Sequence, residues 1–131
     1  MHSAVKRKQT VAILGASTDR GKYSNKAIRA YAAQSWDVYP VNPKGGEIEG
    51  LPVYASLEEI PVPIDRVSVY LPPAVGVKAM ASVAKIKPAE LFINPGAESD
   101  ELVTEARRLG LDPILACSII EIGLNPSAFP G

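Results

Sequence analysis

Apolar residues along this chain gather into short, branched runs separated by longer stretches of helical spacing. The first run, Val11–Leu14, has the length and branching of a buried strand. It breaks at Gly15 into a polar loop containing Ser17, Thr18 and Gly21. Ala27, Ile28, Tyr31 and Ala32 then share one face of a helix expected over about Asn25–Ser35. A second run, Val38–Val41, leads into Asn42–Gly46, where proline and paired glycines force an open loop. Leu51–Tyr54 reads as a short segment against the sheet edge, after a turn at Ile48–Gly50. Ser56 and Glu59 have the spacing of a capping box, on a brief helix stopped by Pro61 and Pro63. Asp65-Arg66 precedes a third core strand, Val67–Leu71, which Pro72 and Pro73 end. Val75, Ala79, Met80 and Val83 mark the apolar face of a helix over about Ala74–Lys85. Glu90–Ile93 is a fourth strand, broken at Asn94-Pro95-Gly96-Ala97. Acidic residues from Glu98 to Glu101 open a helix that runs to Leu109 and is closed by Gly110. Pro113–Ala116 is a last short strand, followed by Cys117 and a tail rich in proline and glycine.

Strands that alternate with helices predict an α/β fold: a doubly wound, mostly parallel sheet of about five strands, with helices on both faces. The C-terminal strand ends then share one edge, where open α/β sheets bind ligands. Four irregular loops converge there: Gly15–Arg20, Asn42–Lys44, Leu71–Pro73 and Asn94–Ala97. The 131 residues fit one domain spanning 1–131, with 1–9 as a flexible leader.

Composition narrows the partners. Lysine plus arginine and aspartate plus glutamate both total 14, so no basic field points to nucleic acid. No stretch reaches the length of a membrane span, and the single cysteine fits a reducing, cytoplasmic compartment. The lone histidine is His2, in the expected leader, which leaves no Ser-His-Asp arrangement and no metal-ligand spacing.

The first loop reads Gly15-x-Ser17-x-x-x-Gly21, which is not the dinucleotide fingerprint, because Ser17 stands where a second glycine belongs. A helix N-terminus behind such a loop can hold a phosphate; a plain strand-to-helix turn without a ligand is the alternative. The second strand ends in Asn42 rather than an acid, with Lys44 close behind. A cation there suits a phosphorylated ribose or a pyrophosphate, unless Lys44 is an ordinary exposed loop lysine.

Six segments together resemble the CoA-binding domain family, small stand-alone proteins similar to the N-terminal domain of the succinyl-CoA synthetase alpha subunit. They are Val11–Ser17, Tyr39–Lys44, Gly50–Pro61, Asp65–Pro73, Asn94–Leu102 and Cys117–Glu121, in the family's order over nearly the whole chain. The resemblance implies a Rossmann-like fold that binds coenzyme A. It places the ligand on Gly15, Ala16, Ser17, Thr18, Asp19, Arg20 and Lys22 of the first loop, and on Asn42, Pro43 and Lys44. Tyr70, Leu71, Pro72 and Pro73 would line the adenine or pantetheine path, with Asn94, Pro95, Gly96 and Cys117 beside it. Cys117 could form a mixed disulfide with the CoA thiol; a buried, inert cysteine at a strand end is the favoured reading. Two departures stand out. The synthetase subunits carry a phosphorylated histidine in a second domain, for which this chain offers only His2. Where many small members have an arginine before the cysteine, this chain has Leu115-Ala116.

The implied function is a non-catalytic CoA or acyl-CoA binding protein, with neither nucleic acid nor membrane as partner, and with a second copy of itself or an enzyme subunit as the candidate protein partner. The alternatives are a CoA-dependent subunit of an acyl-CoA synthetase-like enzyme that needs a partner chain and, less favoured, an NAD(P) sensor.

Overall fold

The computed structural model describes residues 7–131. Within them lie β1 (Thr10–Leu14), α1 (Tyr23–Ala33), β2 (Asp37–Val41), β3 (Glu47–Ile48) and β4 (Leu51–Pro52). β5 (Arg66–Val69), α2 (Pro73–Ile86), β6 (Glu90–Ile93), α3 (Asp100–Arg108), β7 (Pro113–Leu115) and α4 (Ser118–Glu121) follow. Five strands form one sheet in the order β2-β1-β5-β6-β7, parallel at every pairing. β3 and β4 form a separate antiparallel hairpin. Tyr54 continues beyond it as a parallel bridge to Val41, the expected segment at the sheet edge.

Alternation along the strands divides the core into two layers. On one face Ala12, Leu14, Val67, Val69, Leu91 and Ile93 pack against Met80 and Val83 of α2 and Leu102 and Ala106 of α3. On the other, Val11 and Ile13 meet Ala27, Ile28 and Tyr31 of α1 and Ile119 of α4. Both faces of the central strands are therefore dry, which is why β1 is buried from end to end. The expected doubly wound, Rossmann-like arrangement is the one observed, and its strand order reverses between β1 and β5.

Several local expectations change. α1 starts at Tyr23 and buries Ala30 where Ala32 was expected; Ala32 is exposed. Val75 faces outward on α2, and Gly76 takes the inward position, where an added Cβ would lie 2.8 Å from Leu102 Cδ1. The capping box does not close. The turn at Leu57–Glu59 is a single 3-10 turn, and the Ser56 hydroxyl donates to Glu59 Oε2 at 3.4 Å instead of accepting from the backbone. The tail after Cys117 holds α4 and a 3-10 turn at Pro126–Ala128.

Of the expected leader, residues 1–6, including His2 and Lys6, lie outside the described residues. Arg7 grips Asp65 with two hydrogen bonds of 2.8 and 2.7 Å, and Gln9 accepts from the Asp37 amide. The Arg7 guanidinium, helped by the Thr10 amide, draws the Asp65 carboxyl from an ordinary 3.8 down to about 2. Asp65 thus joins the starts of β1 and β5 at the sheet edge away from the converging loops.

Candidate functional site

The C-terminal strand ends enclose a cleft of about 760 Å³ at the point where the strand order reverses. Its floor is the turn after β1. Gly15 has φ +92°, a left-handed conformation suited to glycine, and sits against the Tyr70 backbone and the Leu71 side chain. The Gly15 and Ala16 amides both donate to Val41 O, at 3.2 and 3.1 Å, so the turn is anchored to β2. Asp19 then shapes the loop from within. Its amide donates to Ser17 Oγ, its carboxylate accepts from the Gly21 amide, and its carbonyl accepts from the Lys22 amide. With Ser17 Oγ already accepting from Asp19, its proton remains available to an acceptor in the cleft.

α1 points its N-terminus into this cleft. Lys22 is the N-cap, and Tyr23 and Ser24 form the first turn; all three line the cleft. The first turn carries no acidic residue and receives no side-chain cap. Its leading N–H groups have no intrahelical acceptor, and the helix dipole adds positive potential there. Across the cleft the Asn42 amide group donates to Ala16 O at 2.9 Å, and its side-chain oxygen accepts from the Lys44 amide at 2.8 Å. Asn42 is thus a staple between the first two loops as well as a lining residue. Lys22 and Lys44 make no ion pair among the described residues, in contrast to Arg20, whose Nε lies 3.4 Å from Glu49.

The third wall is apolar: Tyr70, Leu71, Pro72 and Pro73, at the end of β5 and the start of α2. Pro95, Gly96 and Ala97 close the cleft beyond β6. Gly96 adopts φ +94°, and its amide donates to Glu98.

Twelve of the eighteen residues expected at a ligand line this cleft: Gly15, Ala16, Ser17, Lys22, Asn42, Lys44, Tyr70, Leu71, Pro72, Pro73, Pro95 and Gly96. Thr18, Asp19 and Arg20 lie outside its walls. Pro43 faces a neighbouring groove beside Val75 and Lys78. Asn94 and Cys117 border a second, smaller cavity next to the cleft. The Asn94 side chain is buried, donating to Ser68 Oγ and Val69 O and accepting from the Ser118 amide at 2.9 Å. It fixes α4 to the sheet. Ser118 Oγ in turn meets Ser68 Oγ at 2.7 Å and the Tyr70 hydroxyl at 3.3 Å. Burial raises the Tyr70 phenol above its ordinary value against the opposing serine hydrogen bonds, so it stays neutral.

Tyr23, Ser24 and Ala97 were missing from the expected set. The first two follow directly once α1 starts at Tyr23. Among the described residues no group of three or more His, Cys, Asp or Glu could hold a metal, and no helix is long and apolar enough to cross a membrane.

Known proteins share this fold and parts of this sequence. The chain is 38% identical over 72 residues to an ADP-forming acetate–CoA ligase of Archaeoglobus fulgidus, a match that takes in 55% of this chain and 10% of the ligase. The chain spans about a tenth of the length of the curated relatives it matches. A conserved hypothetical protein from Pyrococcus furiosus superposes with a TM-score of 0.77 at 30% identity, over 88% of this chain and 99% of that one. A protein from Thermus thermophilus does so with a TM-score of 0.78 at 27% identity, over 87% of each chain. The model of the CoA binding domain matches residues 9–123, and the chain belongs to that family.

Proposed function

We propose that the chain is a binding module for coenzyme A, free or acylated, and that the ligand lies in the cleft at the C-terminal sheet edge. The observation that carries this reading is the pairing of Lys22 and Lys44, two lysines without ion-pair partners among the described residues, with the uncapped N-terminus of α1. Together they offer several donors and two cations to a ligand rich in phosphate. The leucine–proline wall opposite suits the flat face of an adenine. Ser17 and Asn42, where a nicotinamide-binding domain would have a glycine and an acid, favour CoA over NAD. A second reading, a CoA-dependent subunit that works with a partner chain, draws on the match to one part of a much longer acetate–CoA ligase.

The test is a calorimetric titration with CoA, dephospho-CoA and NAD. CoA is expected to bind more tightly than either, with affinity falling as salt rises, because the phosphate contacts are exposed and screened. Lys44→Ala is expected to weaken CoA binding about tenfold, the loss of roughly one charge-assisted contact. Unchanged CoA affinity in the Lys22→Ala/Lys44→Ala double variant would count against the cleft as the phosphate site.

A further inference from the structure

We propose that the ligand is a thioester of CoA with a short, uncharged aliphatic acyl group, and that the smaller cavity beside the cleft receives that group. The inference rests on CoA occupying the cleft. The cavity measures about 260 Å³ and opens between the start of α1, the turn after β6 and α4. Tyr23, Tyr70 and Pro95 form walls of both spaces, so the two adjoin. Character changes across those three residues. On the cleft side stand Ser17, Lys22 and Lys44; on the other stand Cys117, Ile120 and Pro126, with no charged side chain.

Two of the polar side chains that border the cavity are already engaged. The Asn94 side chain is held by Ser68, Val69 and Ser118, and the Tyr70 hydroxyl meets Ser118. A carboxylate entering there would find no cation among the lining side chains, and only the Tyr23 hydroxyl and the weak Cys117 thiol as uncommitted donors, too few to replace its hydration. An alkyl chain would find two exposed apolar surfaces at the mouth, Tyr23 at 60% and Ile120 at 61% exposure, with Lys26 Nζ 5.7 Å from the centroid of the Tyr23 ring. The space equals about nine water volumes, which can enclose a short chain but not a long fatty one.

The experiment is a calorimetric series with CoA, acetyl-, butyryl-, hexanoyl-, palmitoyl- and succinyl-CoA. Affinity is expected to rise about fourfold per methylene from acetyl to butyryl. Palmitoyl-CoA should gain nothing further, and succinyl-CoA should bind at least about tenfold less tightly than butyryl-CoA. Ile120 is exposed, so Ile120→Asp should fold, and the ratio of butyryl-CoA to CoA affinity in that variant is expected to fall to about one. Equal affinity for CoA and every acyl-CoA in the native protein would overturn the acyl site and leave the CoA reading intact. Binding of no CoA species would overturn both.

Discussion

Arg66→Ala is expected to lower the unfolding free energy by about 2–4 kcal/mol, a large share of what a domain of this size possesses. The Arg66 side chain is 5% exposed at the start of β5. Burial works against its charge, but hydrogen bonds with Tyr31, Glu90 and Glu121 outweigh that and keep the guanidinium firmly protonated. Nη2 lies 2.7 Å from Glu90 and Nη1 2.6 Å from Glu121, while Nη1 also donates to the Tyr31 hydroxyl at 3.3 Å. The guanidinium carbon sits 4.9 Å from the centroid of Trp36 and 4.4 Å from that of Phe92, close enough for cation–π attraction to both rings.

Truncation removes all of this at once. It opens a void beneath two aromatic rings, takes one partner from a buried tyrosine hydroxyl and removes one of the ties that hold α4. Glu90 and Glu121 are 38% and 45% exposed, so water can solvate them once the arginine is gone. Arg66→Met restores packing without charge and is therefore expected to cost less than Arg66→Ala. Urea unfolding of the three proteins measures the order. A loss below about 1 kcal/mol in Arg66→Ala would mean that the cluster contributes no more than an exposed ion pair.

The second large effect is at Gly15. Gly15→Ala is expected to cost about 2–4 kcal/mol, from a left-handed backbone position and an overpacked contact acting together. A Cβ there would lie 3.0 Å from Leu71 Cδ2 and 3.2 Å from both the carbonyl carbon and oxygen of Tyr70. The leucine methyl can swing aside; the Tyr70 backbone is committed to the sheet, its amide donating to Leu14 O. Gly96 gives the control. Its φ is +94°, yet a Cβ there meets nothing within 4 Å, so Gly96→Ala should carry the backbone strain alone, about 1 kcal/mol. Thermal unfolding of the two variants separates strain from contact. Equal losses would show that the approach of β5 to the first turn is not what requires glycine at position 15.

These two residues illustrate what the sequence made legible. Gly15 stood out because it ends an apolar run and opens a polar loop, a local signal that survives folding. The converging loops could be read in the same way, since parallel strands with intervening helices leave their C-terminal ends on one edge. Arg66 could not. A charged residue next to Asp65 reads as the boundary before a strand, and its burial depends on Trp36, Phe92, Glu90 and Glu121 arriving from three other segments. α4 was hidden for a related reason. Four residues have no helical pattern of their own, and α4 is held by Asn94 at the end of β6 and by Tyr31 of α1 on the same face of the sheet rather than by propensity. Asn42 was legible as a departure from an acidic residue, but its role as a staple between two loops needed the fold.

The central claim is that CoA binds at the C-terminal edge of the sheet, and amide chemical-shift mapping during a CoA titration tests it most directly. The account predicts saturable shifts at Gly15, Ser17, Tyr23, Ser24, Lys44 and Gly96, with Thr10, Asp65 and Glu90 at the opposite edge unmoved. Saturable shifts centred on that opposite edge, or none at about millimolar CoA, well above the affinities usual for such sites, would contradict it.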